Sequence, residues 1–266
     1  MRIRAIALLT FSGFLRNKLM ILFLALFAIV VLLMMTPLMV MRSQSGSPGL
    51  PHTESMAPGM IGGIMSLLSG FGSLLAAWAA ADAVWSDIRS GTILAVLARP
   101  IERREFLLGK FLGVQLLMGC YVAMMLALSY LLAAIGGGHI HPAPWLLIVY
   151  PLVRYALYSG LAMLLATVLH PVISFAIMLV IMVLESIVVP GHPVWFLPDW
   201  LRSALFAVLP SPNLLSETRF LTLTEASLKQ TSALDHLTAL AYGLDWAVVF
   251  FLLAALLFHR RSVLRD

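Results

Sequence analysis

The chain has 266 residues, of which 61% are hydrophobic and only 11% charged, and its mean hydropathy is +1.00. Soluble domains carry about 25% charged residues, so a soluble globular protein is excluded and an integral membrane protein is expected. The formal net charge of +5 does not point to nucleic acid, because no basic stretch is interleaved with exposed aromatics on a soluble domain.

Residues 2–18 place Ile3, Ile6, Ala7, Phe14 and Leu15 at helical spacing with basic residues at both ends. That pattern predicts an amphipathic helix lying in the membrane interface. The apolar run at 19–41 is longer than the roughly 7–15 residue core of a signal peptide, so it reads as a retained first span. Crossing a bilayer takes about 20 apolar residues at about 1.5 Å each. Further spans are predicted at 60–83, 106–135, 145–169, 172–189 and 239–259, giving six in an all-α membrane protein. The third is long enough to begin outside the lipid, and the fifth is short. Cys120, the single cysteine, excludes an intramolecular disulfide and a cysteine-based metal cluster.

The connecting segments differ in character. Residues 43–59 are rich in Gly, Pro and Ser and read as a flexible outer loop. Residues 86–110, SDIRSGTILAVLARPIERREFLLGK, form a polar, arginine-rich stretch between two apolar runs, and Asp82 lies just before it. The turn at His170-Pro171 is tight. Residues 190–238 keep Trp195, Phe196, Trp200, Leu201, Leu205 and Phe206, which suits short helices capping the outer membrane face, since Trp favours that interface.

Charge bias sets the orientation. With the N-terminus inside, Arg2, Arg4, Arg16, Lys18, Arg89, Arg99, Arg103, Arg104, Lys110, Arg260, Arg261 and Arg265 face the cytoplasm. Arg42, Arg202, Arg219 and Lys229 face outward. Twelve against four is a positive-inside asymmetry with both termini cytoplasmic.

Three ionisable residues fall within spans: Arg154, Glu185 and Asp245. A charge at the bilayer centre costs about 2.5–3.5 kcal/mol even on lenient scales, so such groups pair or face a cavity. Arg154 and Glu185 lie about equally far from the turn between the fourth and fifth spans, roughly 23 Å by helical rise. An Arg154–Glu185 ion pair is predicted, with Asp245 at a similar depth able to join it. No GxxxxGK[ST] phosphate loop, HExxH pair or GxSxG elbow occurs, and catalysis within this chain is not expected. The 15 methionines and the His139/His141 pair are soft or borderline ligands of the kind copper takes. Met is also ordinary gap-filler in apolar packing, and HxH without a third ligand is a weak metal signal.

Beside these absences, residues 86–110 resemble the first cytoplasmic loop of an ATP-binding-cassette (ABC) transporter permease of the type-2 class, ABC-2. That family shows an acidic residue, SGT, an apolar helical turn, R-P-[IV]-x-R-x-E and then LLGK. The matching residues are Asp87, Ser90-Gly91-Thr92, Ile93 to Leu97, Arg99-Pro100-Ile101, Arg103-Arg104-Glu105 and Leu107-Leu108-Gly109-Lys110. Asp87 departs mildly from the usual Glu. The FLRNK stretch, Phe14 to Lys18, is similar to the family's interfacial elbow helix. The layout is also compatible with a permease of this type that serves nitrous-oxide-reductase maturation.

The resemblance implies that the loop is a coupling element docking on a separate ATPase subunit. Thr92 to Ala98 can form a short helix with Ser90 or Gly91 at its N-cap and Pro100 preventing continuation. Arg99, Arg103 and Arg104 could pair with carboxylates across that contact, Glu102 and Glu105 with cations; Arg89 lies in the same stretch. A plain topology-setting role for these arginines is the competing reading. His170-Pro171 would be a second, smaller cytoplasmic contact. The resemblance further implies a homodimer bound to two ATPase copies that carry the ATP and Mg, no cofactor in this chain, and a bacterial inner membrane. It implies export of a hydrophobic or amphipathic substrate or, alternatively, assembly of an extracytoplasmic protein or copper cofactor.

Overall fold

A computed structural model describes residues 2–18, 21–22, 25, 27–29, 32–33, 36, 53–89, 103–136, 146–187, 198, 200, 203, 215 and 233–260. Six continuous helices are described: α1 (Arg2–Arg16), α2 (Thr53–Arg89), α3 (Arg103–Gly136), α4 (Leu146–Val168), α5 (Pro171–Ile187) and α6 (Ala233–Arg260). No strand occurs among the described residues. Four stretches are long and apolar enough to span a membrane: Gly63–Asp87 in α2, Arg103–Leu131 in α3, Leu146–Val168 in α4 and Leu234–Phe258 in α6. At 17 residues, α5 reaches about 26 Å, slightly less than a hydrocarbon core of about 30 Å. The described residues from 21 to 36 are helical. Phe27 there is buried with its ring 5.3 Å from that of Tyr121 in α3.

The centre of the molecule is α4, which packs against α6, α2, α3 and α5. Lipid is as apolar as Leu, so helices in a membrane associate by close packing and small residues rather than by a hydrophobic drive. The sequence supplies small residues where the helices meet. Ser69, Ser73, Ala76, Ala77, Ala79 and Ala80 of α2 are all buried. A Cβ on Gly72 would lie 2.3 Å from the Tyr155 hydroxyl and 2.6 Å from the Tyr121 ring, so only glycine lets α2, α3 and α4 close at this level. Tyr121 donates its hydroxyl to the Leu68 carbonyl at 2.6 Å, and Gln115 donates to Ser159 Oγ at 2.7 Å. These two polar tips are thereby satisfied inside the bundle.

One stripe docks α6 on α4. Gly243, Ala247, Phe250, Ala254 and Phe258 recur at three- and four-residue spacing and are buried. Ala247 carbonyl oxygen stands 3.1 Å from where a Gly160 Cβ would be. The remaining faces of α6, including Leu244, Val248, Leu252 and Leu256, are exposed, as suits a helix whose outer face meets lipid.

The apolar stripe of α1 is used differently from the sequence expectation. Ile6, Ala7, Thr10 and Phe14 face protein, chiefly α3, while Leu8, Leu9 and Leu15 are the exposed apolar residues. The contact is made by Gly109 and Gly113, four residues apart on α3. A Cβ at these positions would stand 2.7 Å from Ile6 and 2.7 Å from Thr10 respectively. This is small-xxx-small docking, in which missing side chains let two backbones approach.

Candidate functional site

The candidates of the 86–110 stretch divide at the limits of the described residues. Ser90, Gly91, Thr92, Arg99 and Pro100 lie outside them, as do His139 and His141. Asp87, Arg89, Arg103, Arg104 and Glu105 are described, and they form the two stems of the loop: α2 ends at Arg89 and α3 begins at Arg103. Arg89 and Arg104 are exposed.

The stems are joined. Lys110 Nζ lies 2.6 Å from Asp87 Oδ2, with side chains only 10% and 19% exposed. Lys110 sits two turns into α3, so its ammonium reaches back to the last turn of α2. Water reaches this pair poorly, so loss of either partner would leave a poorly solvated charge behind. One layer above, Asn17 Nδ2 donates to Asp82 Oδ2 at 3.1 Å and ties the end of α1 to α2. The start of α3 also meets the end of α6. Phe106 stacks on Phe258 with centroids 6.3 Å apart, and Arg103 Nη1 reaches the Phe258 carbonyl at 3.5 Å.

At the α4–α5 turn, His170 occupies the N-cap position and Pro171 the first helical position, where a missing N–H costs nothing. The Val172 N–H points to His170 Nδ1 at 3.4 Å, and the Ser174 N–H donates to the His170 carbonyl at 2.9 Å. The imidazole stands edge-on to Trp85 of α2 at 4.9 Å. Two turns along, Trp78 meets Phe175 in the same manner at 5.2 Å. Trp78 and Trp85 are seven residues apart and share one face of α2, which seats α5.

Inside the bundle, the structure gathers Arg154 and Glu185 around a residue that hydropathy and charge do not single out. Tyr158, one turn beyond Arg154 on α4, donates its hydroxyl to Glu185 Oε2 at 2.6 Å. Its ring lies 5.8 Å from the Arg154 guanidinium carbon. Arg154 Nη1 donates to Ser69 Oγ of α2 at 3.0 Å. A polar chain Ser69–Arg154–Tyr158–Glu185 therefore links α2, α4 and α5, with Tyr158 as the bridge instead of the expected direct ion pair. Glu185 is 7% exposed and its Oε1 has no hydrogen-bond partner. A tyrosine in an apolar helix carries no hydropathy signal; its i+4 spacing from Arg154 is the available cue.

Asp245 does not join this cluster. It is exposed, midway between Gly243 and Ala247 of the docking stripe. At about 100° per residue it therefore points away from α4. Among the described residues no three His, Cys, Asp or Glu side chains gather as a metal site would require. The exposed Cys120 is not part of any site among them.

A bundle of apolar helices packed through small residues, with a charged stretch joined at its stems, is the architecture of an integral membrane protein. No curated protein matches the chain. The family model for ABC-2 family transporter proteins matches residues 4–263, nearly the whole length. The chain belongs to the ABC-2 transporter family, whose members are membrane permease components of ABC transporters and work with an ATPase subunit.

Proposed function

We propose that this chain is the permease subunit of an ATP-driven exporter of a hydrophobic or amphipathic substrate, powered by a separate ATPase docked on residues 84–105. Two copies form the translocation unit, with two ATPases that bind ATP and Mg. The chain sits in the bacterial inner membrane with both termini cytoplasmic. The observation that carries this reading is the Asp87–Lys110 pair. It fixes the spacing of the two helices on which the loop is mounted, so a push on the loop is delivered to α2 and α3 together. Packing of Phe106 on Phe258 extends that push to α6. An apolar or amphipathic cargo suits the walls, in which fixed polar groups are few among the described residues.

The test is co-purification of the chain with its ATPase, followed by cross-linking from cysteines placed at Arg99 and Arg104 in a Cys120→Ser background. Cross-links at Arg99 or Arg104 to the ATPase are expected, whereas a loop accessible only from outside the cell would end this reading. The alternative is an assembly factor acting on an outer protein or copper cofactor through residues 190–238. Shortening that segment while ATPase coupling persists separates the two: export survives in the first case, and partner maturation fails in the second.

A further inference from the structure

Halfway along α6, Asp245 is exposed on the face turned away from α4. By helical rise it lies about 18 Å from Ala233 and about 20 Å from Phe258, well inside a membrane-spanning stretch. Ionisable groups at such depth are costly against lipid and almost always face a partner or a cavity. A stem of one methylene cannot carry the carboxylate to either membrane surface, as the longer Lys and Arg side chains can. The helix does not neutralise the charge itself, since it holds no Lys or Arg before Arg260. On the helices packed against α6, Arg154 is turned to Ser69 and Tyr158, and Lys110 to Asp87. Among the described residues none forms an ion pair with Asp245.

The surface around this carboxylate has two parts. At about 100° per residue, Thr238, Ala241, Val249, Leu252 and Leu256 lie within about 40° of Asp245 round the helix, and all are exposed. On one flank stand Tyr242 and Trp246, both half-buried, with ring centroids 6.4 Å apart. A carboxylate beside tyrosine and tryptophan rings is a combination that attracts organic cations, through the charge and through the ring quadrupoles.

We propose that this face of α6 binds a lipophilic organic cation, with the positive centre at Asp245 and the apolar body on Trp246, Val249 and Leu252. In the transport reading, on which this rests, the cation is the cargo and the face lines the passage, so the amphipathic substrates narrow to cationic ones. Lipid tails suit Leu252 and Leu256 but not the acid between them and Thr238. A second copy of the chain suits the face no better. Twofold contacts are isologous, so two helices meeting through this stripe would bring their Asp245 carboxylates together.

Equilibrium binding of tetraphenylphosphonium to the full chain in lipid nanodiscs tests it, with tetraphenylborate, of the same shape and opposite charge, as the control. Saturable binding beyond that of empty nanodiscs is expected for the cation and not for the anion. Asp245→Asn should weaken it about tenfold, because a charge contact away from bulk water gains strength. Asp245→Glu should retain most of the affinity. The exposed Asp245 is not a packing residue, so Asp245→Asn should keep the parent Tm, which shows the loss to be local. Equal binding of both ions, or unchanged binding in Asp245→Asn, would overturn the proposal. Dissociation of a dimer by Asp245→Asn would assign the face to a second copy and overturn it too. The binding assay needs no ATPase, so failure to co-purify an ATPase ends the transport reading alone, and loss of the charge preference ends the cation site alone.

Discussion

Tyr158 donates its hydroxyl to Glu185 at 2.6 Å while its ring lies beneath the Arg154 guanidinium. One side chain thus mediates between a buried acid and a half-buried base on neighbouring helices. An acid that keeps one oxygen without a hydrogen bond depends heavily on the bond it has. Tyr158→Phe should destabilise the detergent-solubilised protein by about 1–3 kcal/mol, the cost of stranding a buried acceptor. Adding Glu185→Leu to Tyr158→Phe should recover most of that loss, because the stranded acceptor is removed together with its donor. Thermal unfolding of the two variants beside the parent measures this.

The Asp87–Lys110 pair should matter for both stability and coupling. Asp87→Asn or Lys110→Met breaks a poorly hydrated ion pair from one side and is expected to cost on the order of 3 kcal/mol. The exchange Asp87→Lys with Lys110→Asp should restore stability and, with it, substrate stimulation of ATP hydrolysis in the reconstituted complex. An exchange as inactive as the single variants would show that the stem is not a rigid link.

Gly113→Leu should separate α1 from α3. The Thr10 side chain and the Ala7 carbonyl lie within 2.9 Å of the position of the first added carbon, and overpacking of this kind costs about 1–3 kcal/mol. Limited proteolysis should then cut near residue 16 faster than in the parent, while α4 and α6 stay protected.

His170→Ala removes the cap of α5 and its contact with Trp85, and is expected to cost about 1 kcal/mol. His170→Asn keeps a short side-chain acceptor at the N-cap and should retain most of the stability. If alanine and asparagine behave alike, the imidazole acts through Trp85 alone, which tryptophan fluorescence would detect.

Much of the helical layout is legible because hydropathy and length are local properties. The stretches predicted at 60–83, 106–135, 145–169, 172–189 and 239–259 coincide with α2 to α6 within a few residues, apart from longer ends on α2 and α6. Rotational phase is harder to read. Asp245 matches Arg154 and Glu185 in depth, but depth ignores which way a helix faces. The stripe Gly243–Ala247–Phe250–Ala254 is the available phase marker, and it turns Asp245 outward. Similarly, Gly109 reads as part of an LLGK signature. Its role as half of a small-residue notch follows only when Gly113 is counted with it and α1 is placed on top. Tyr158 is invisible in the sequence for a chemical reason: its value lies in one hydroxyl, which composition averages away.

The notch formed by Gly109 and Gly113 leaves α1 no clearance over α3, and the Asn17–Asp82 hydrogen bond ties its far end to α2. The leading helix is therefore lashed at two points to the pair of columns that rise from the loop. Tilting those columns would swing it like an oar, with Leu8, Leu9 and Leu15 as the blade. Any tilt of α2 and α3 would then be felt at the surface that carries Leu8, Leu9 and Leu15.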